Sequence, residues 1–210
     1  MGAAHVSVGD LISQLDDRSA RSRRSAAEKL RRLKDPIAGP ALLDALGREI
    51  ENPRTWETQY QLTMALGSCM YDQALDFLRG AVQRRAPVAA FVQTAIGDAV
   101  VRLGEHRGDA STQVQWCLAT EIDAVMDGAF RAVAILKINL NDDMVRSVIA
   151  AVSGRELYDG LRFWPIVAST GWEGGLVREF LVQSASSPRS DISDAAKNSL
   201  SGVLIDYDYL

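Results

Sequence analysis

An apolar anchor returns every 32 to 36 residues along this chain, at Leu30, Leu66, Val100, Ile135, Val167 and Leu200. A period of that length restricts the fold to stacked supersecondary units, because one such unit cannot bury its apolar face alone. The unit is clearest at residues 24–46. There Ala26, Ala27, Leu30 and Leu33 share one helical face, while Leu42, Leu43, Leu46 and Ile50 share another. Asp35-Pro36 between them is a stop and a restart, since Asp accepts the orphan N–H groups of the next helix and Pro suits its first position.

The spacing predicts second helices at about 41–50, 74–83, 112–125, 143–152 and 176–184, each with i, i+3, i+4 apolar residues. No window alternates in the manner of a strand, so the expected fold class is all-α. Asn52-Pro53, Arg107-Gly108-Asp109, Asn141-Asp142-Asp143 and Ser187-Pro188-Arg189-Ser190-Asp191 are cap-rich connections between periodic segments. None is long enough to divide the chain. Residues 1–210 therefore read as one domain, a size suited to a single architecture with a substantial core.

The stretch Arg24-Ser-Ala-Ala-Glu-Lys-Leu-Arg-Arg-Leu-Lys-Asp-Pro-Ile-Ala-Gly-Pro-Ala-Leu-Leu43 resembles a HEAT repeat of the short kind in phycobilisome-lyase HEAT-like proteins. Thr63-Met-Ala-Leu-Gly67 is similar to the end of the next unit's first helix. Later units keep the period and lose the Asp-Pro turn, reading Gly104-Glu-His-Arg-Gly108, Asn139-Leu-Asn141 and Gly171-Trp-Glu-Gly174. The resemblance implies a right-handed α-α superhelix, a HEAT-like solenoid of five to six helix pairs. It also implies first helices on the convex side and second helices lining the concave side. It implies a scaffold for macromolecules more than any one chemistry.

Catalysis finds little support in the residues. His5 lies near the start, His106 reads as a Gly-flanked loop residue, and Cys117 reads as a packed thiol without a nucleophile motif around it. Cys69 and Cys117 are too few and too far apart for a zinc site or a disulfide framework, so no metal, cofactor or catalytic residue is expected. The glycines of Gly171-Trp-Glu-Gly-Gly175 follow no strand and read as a turn between two helices of one repeat. The opening residues lack the order of a signal peptide, and no apolar run approaches a membrane span, which together predict a cytoplasmic chain with no membrane partner.

Charge bears on the choice of partner. The net charge of −4 is the wrong sign for a general polyanion binder. One basic run, Arg18, Arg21, Arg23, Arg24, Lys29, Arg31, Arg32 and Lys34 against Glu28 alone, falls on a first helix and is therefore expected on the solvated convex face. Nucleic acid is accordingly not the expected partner, and DNA affinity should be weak. On the second helices, Asp44, Asp76, Gln115, Arg146 and Arg178 align in one column that runs from acidic to basic, with Arg48 one turn beyond Asp44. A graded column suits a dipolar protein surface better than a uniform phosphate backbone. Trp56 and Trp172 fall at repeat edges, where each is either an exposed anchor for a partner or a plug between repeats; Trp116 and Trp164 read as core.

These readings predict a non-enzymatic protein-binding module, an adaptor, inhibitor or immunity-type protein that holds a partner such as a toxin or effector on its concave face. The competing expectation is a HEAT-like enzyme acting on nucleic acid, as in DNA base excision, or a lyase acting on a bound chromophore. That reading requires an acidic residue poised in the groove, with Asp44 and Asp76 as candidates.

Overall fold

A computed structural model of the protein describes residues 7–84 and 88–207; His5 lies outside them. Among the described residues there is no strand, and twelve α-helices follow one another: α1 (Val8–Gln14), α2 (Ala20–Leu33), α3 (Gly39–Glu49), α4 (Trp56–Ser68), α5 (Leu75–Val82), α6 (Ala90–Arg107), α7 (Ala110–Ala119), α8 (Asp123–Leu136), α9 (Asp142–Ser153), α10 (Phe163–Ala168), α11 (Gly175–Ser184) and α12 (Ser190–Leu200). The fold is an all-α solenoid of the HEAT-like kind. Five pairs run from α2/α3 to α10/α11, α1 precedes them, and α12 stands as the first helix of a sixth unit.

Local chemistry explains the punctuation. Asp35, Asn52 and Asp159 each accept the backbone N–H two residues on, at 3.0, 3.1 and 2.9 Å, and each opens a single 3-10 turn that leads into α3, α4 and α10. Asp35-Pro36 is thus a stop and restart as the residues suggest, with a tight turn inserted before α3. Gly171 to Gly174 is a turn between α10 and α11, with Gly174 at φ 112°. The first helices end in left-handed residues: Lys34 after α2 (φ 55°), Met70 just beyond α4 (φ 54°), Gly108 after α6 (φ 76°) and Lys137 after α8 (φ 54°).

Three local expectations need correction. The second helix expected at 112–125 stops at Ala119, because Glu121 turns the chain through φ 54° and Val125 already belongs to α8. His106 sits in the last turn of α6 and not in a loop. The anchors Leu30, Leu66 and Val100 are fully buried, whereas Ile135, Val167 and Leu200 are only partly buried and pack at the edge of the core. On α8 the fully buried positions are Val125, Ala129 and Ala132.

The first helices form one layer in which α2 packs on α4, α4 on α6, α6 on α8, α8 on α10 and α10 on α12; the second helices touch one another much less. The closest approach joins α6 and α8. A Cβ placed on Gly97 would sit 2.9 Å from the carbonyl carbon of Val125, and one on Gly128 would sit 2.8 Å from that of Thr94, with each overlapping the attached oxygen. Only residues without a side chain let the two backbones meet there.

Candidate binding groove

The tight first-helix layer bends inward. Arg31, Arg32 and Lys34 at the end of α2, Gln61, Met64 and Ser68 on α4, Arg102 on α6, and Ile135 and Leu136 on α8 line one groove of about 630 Å³, with Glu28 on its α2 wall. Packed helices stand roughly 8–10 Å apart, so residues of α2 and α8 could not share a cleft across a flat layer of four helices. Arg131 of α8 also reaches Met64 Sδ of α4, at 3.3 Å, across α6. The concave side is therefore built by the first helices, opposite to what the family resemblance implies. Curvature follows the layer whose helices stand closer, and the contacts at Gly97 and Gly128 put that layer on the α6/α8 side.

This placement relocates the predicted residues. The basic run does not lie wholly on an outer face: Arg31, Arg32 and Lys34 are on the groove wall, and Arg24 lines the adjoining cleft with Glu28, Trp56, Glu57, Tyr60 and Gln61. Asp44, Asp76, Gln115, Arg146 and Arg178 are all exposed on the second helices and line neither cleft. Asp44 pairs with Arg48, which also meets Asp16 at 2.5 Å; Arg146 stands 4.0 Å from Asp143 of its own helix. The two edge tryptophans differ. Trp172 is 9% exposed and plugs the seam by Leu140 and Val145, whereas Trp56 is 38% exposed and stacks on Phe91, itself 64% exposed, at 5.3 Å. Trp164 is buried; Trp116 is half-buried under the Arg79 guanidinium, 5.2 Å from the ring centre.

Under the groove lies a charged cluster that the sequence reading missed. Asp98 of α6, fully buried, accepts from Arg131 Nε at 3.1 Å and from Arg102 Nε at 2.5 Å. Burial opposes the Arg131 charge, but Asp98 and the hydrogen-bonded Tyr60 outweigh it and raise the guanidinium above its usual range. One turn earlier on α8, burial raises the carboxyl of Asp127 and Arg131 offsets part of that rise. The cluster joins α4, α6 and α8 through their concave faces. The available signal was spacing: Asp98 and Arg131 interrupt apolar runs 33 residues apart, one repeat period.

The other chemical candidates resolve simply. His106 Nε2 lies 3.9 Å from Asp72 Oδ1 at the surface, whereas Cys117 is buried in the core. Among the described residues no cluster of three or more His, Cys, Asp or Glu is placed to hold a metal ion, and no helix is long and apolar enough to cross a membrane. Burial pushes the Cys69 thiol up to about 11, helped by Asp35, and raises Cys117 as well. Both thiols should therefore resist alkylation in the native protein near pH 8, reacting at least about 100-fold more slowly than in denaturant. Rapid native labelling followed by mass spectrometry would show that the core around them opens locally.

Residues 22–48 match the PBS lyase HEAT-like repeat. The matched segment spans nearly all of α2, the Asp35 turn and most of α3, which is one structural unit. No curated protein shows significant similarity to the chain.

Proposed function

Taking a HEAT-like repeat at residues 22–48 within an all-α solenoid as the premise, we propose that this chain is a non-enzymatic scaffold that holds another protein in the groove of its first helices, in the manner of an adaptor, inhibitor or immunity-type protein. The observation that carries this reading is the groove itself, where four consecutive first helices present Arg31, Arg32, Lys34 and Arg102 around Met64, Ile135 and Leu136. Apolar floors with charged walls give a partner both buried area and orientation. The exposed Trp56–Phe91 stack beside the adjoining cleft adds a rigid aromatic anchor of the type that dominates interface energetics.

Nucleic acid is the second reading, and the cations on the groove wall favour it. Against it stand Glu28 and Glu57, which neutralise Arg32 and Arg24 and would repel a phosphate backbone. A base-excision enzyme also needs an acid held in the groove, whereas Asp44 and Asp76 line neither cleft and Glu28 and Glu57 are paired with Arg32 and Arg24.

Affinity capture from the source cell tests the scaffold reading. The protein partner recovered by the unaltered chain should bind Arg32→Glu with Lys34→Glu at least about tenfold more weakly, a loss of 1.4 kcal/mol. Arg146→Glu with Arg178→Glu should stay within about twofold, the usual size of a change away from a site. A larger loss from the second-helix pair would move the binding face to the acidic-to-basic column.

A further inference from the structure

Beyond α12 the described chain stays against the molecule. Val203 N–H donates to Asn198 O at 2.9 Å, and Leu204 to Tyr207 turn back over the first-helix layer. Leu204, Ile205, Asp206 and Tyr207 line a cleft with Ile135 and Lys137 at the end of α8 and with Trp164, Val167 and Thr170 around α10. The Tyr207 ring meets Phe163 and Trp164 edge-on, at 5.3 and 5.9 Å. One side of this cleft is thus an apolar and acidic segment of the chain itself, with Tyr207 packed on the core, Leu204, Ile205 and Asp206 exposed, and Lys137 among the other lining residues.

The neighbouring groove meets this cleft at Ile135, which lines both, and carries more charge. Where the first cleft has Lys137, the groove has Arg31, Arg32, Lys34 and Arg102 against Glu28, which pairs with Arg32, while Arg102 also holds the buried Asp98, and its apolar surface continues through Met64 and Leu136. Its volume, about 630 Å³, is that of a cleft that takes a few side chains and not a whole folded surface. Gln61 on its wall holds a buried side-chain amide oxygen with no hydrogen-bond partner.

From the continuity of the two clefts and the charge of the second, we infer that the groove takes a non-helical segment of the partner protein in which apolar or aromatic residues alternate with carboxylates, the pattern of Val203-Leu-Ile-Asp-Tyr-Asp-Tyr-Leu210 in this chain. The inference rests on the scaffold reading of the groove. The apolar side chains fill the floor while the carboxylates meet the surplus positive charge of the α2 wall, Lys34 foremost. Discrimination against a nucleic acid strand comes from Glu28, which a peptide can pass with an uncharged residue and a strand cannot pass without a phosphate nearby.

The probe is a fluorescein-labelled synthetic peptide of residues 203–210, titrated against the intact chain at low salt and followed by anisotropy. Saturable binding in the micromolar range is expected. Arg32→Glu with Lys34→Glu should weaken it at least roughly tenfold without lowering the melting temperature, since both residues lie on the surface. Replacing both peptide aspartates by lysine should abolish binding, and a short thymidine oligonucleotide should bind more weakly than the peptide. Equal peptide affinity in the variant would mean that the peptide exchanges with the chain's own segment beside α10, which overturns the inference. An oligonucleotide that binds more tightly and is lost in the same variant would also overturn it and give the groove to nucleic acid. A captured protein that depends on Arg32 and Lys34 alongside a silent peptide would leave the scaffold reading standing and remove this one.

Discussion

Gly97→Ala and Gly128→Ala should each destabilise the protein by about 3 kcal/mol or more, lowering the melting temperature by roughly 6–12 °C in a chain of this size. The added methyl would meet backbone carbonyl groups on the opposing helix and not a flexible side chain, so α6 and α8 must separate to admit it. Gly47→Ala and Gly80→Ala are the matched controls. Both glycines are helical with open space where the Cβ would point, so alanine should leave stability unchanged or raise it by up to about 1 kcal/mol. Thermal melts of the four variants would decide the matter through the sign of the change. If Gly97→Ala or Gly128→Ala melted with its controls, the close α6/α8 contact and the inward bend drawn from it would both be wrong.

Asp98→Asn should cost about 3 to 5 kcal/mol, the usual penalty for removing one partner from a buried charged cluster. The amide keeps the size of the side chain but leaves Arg131 buried without its carboxylate and deprives Arg102 of its strongest partner. Arg131→Met combined with Asp98→Leu should recover part of that loss, because apolar groups of similar size fill the same space and the remaining cation, Arg102, is partly exposed. Denaturant midpoints across the double-mutant cycle supply the check. A single substitution costing under about 1 kcal/mol would mean that water reaches Asp98 and that the cluster belongs to the groove surface.

The repeat was legible because it rests on local rules. Leu30, Leu66 and Val100 anchor buried helices, and the Asp35 turn works through an Asx hydrogen bond that the dipeptide alone suggests. The orientation of the layers was not legible in the same way. Which layer is concave depends on the difference in helix spacing between the two sides, and amphipathic periodicity is the same on both. The signal lay in Gly97 and Gly128, small residues in mid-helix where propensity disfavours them, and they carry meaning only once paired across helices.

The site followed the same pattern. Arg31, Arg32 and Lys34 were visible as a basic run, but their meaning changed with the layer they occupy. Asp98 and Arg131 were hidden inside apolar helices, where a charged residue is worth a question by itself. Trp56 could be read as anchor or plug from its repeat-edge position; its stacking on Phe91 depends on the start of α6, 35 residues away.

The left-handed residues closing the first helices also say something about selection. Lys34, Met70 and Lys137 occupy a conformation that glycine adopts freely and that costs other residues about 1 kcal/mol. Lys34 lies on the wall of the groove and Lys137 beside the neighbouring cleft, so two of these three positions keep a cation where a glycine would make a sturdier helix end. A lineage drifting toward thermal robustness would trade those lysines for glycine first. On the proposed reading of the groove, their retention would mark copies in which an acidic segment is still bound there.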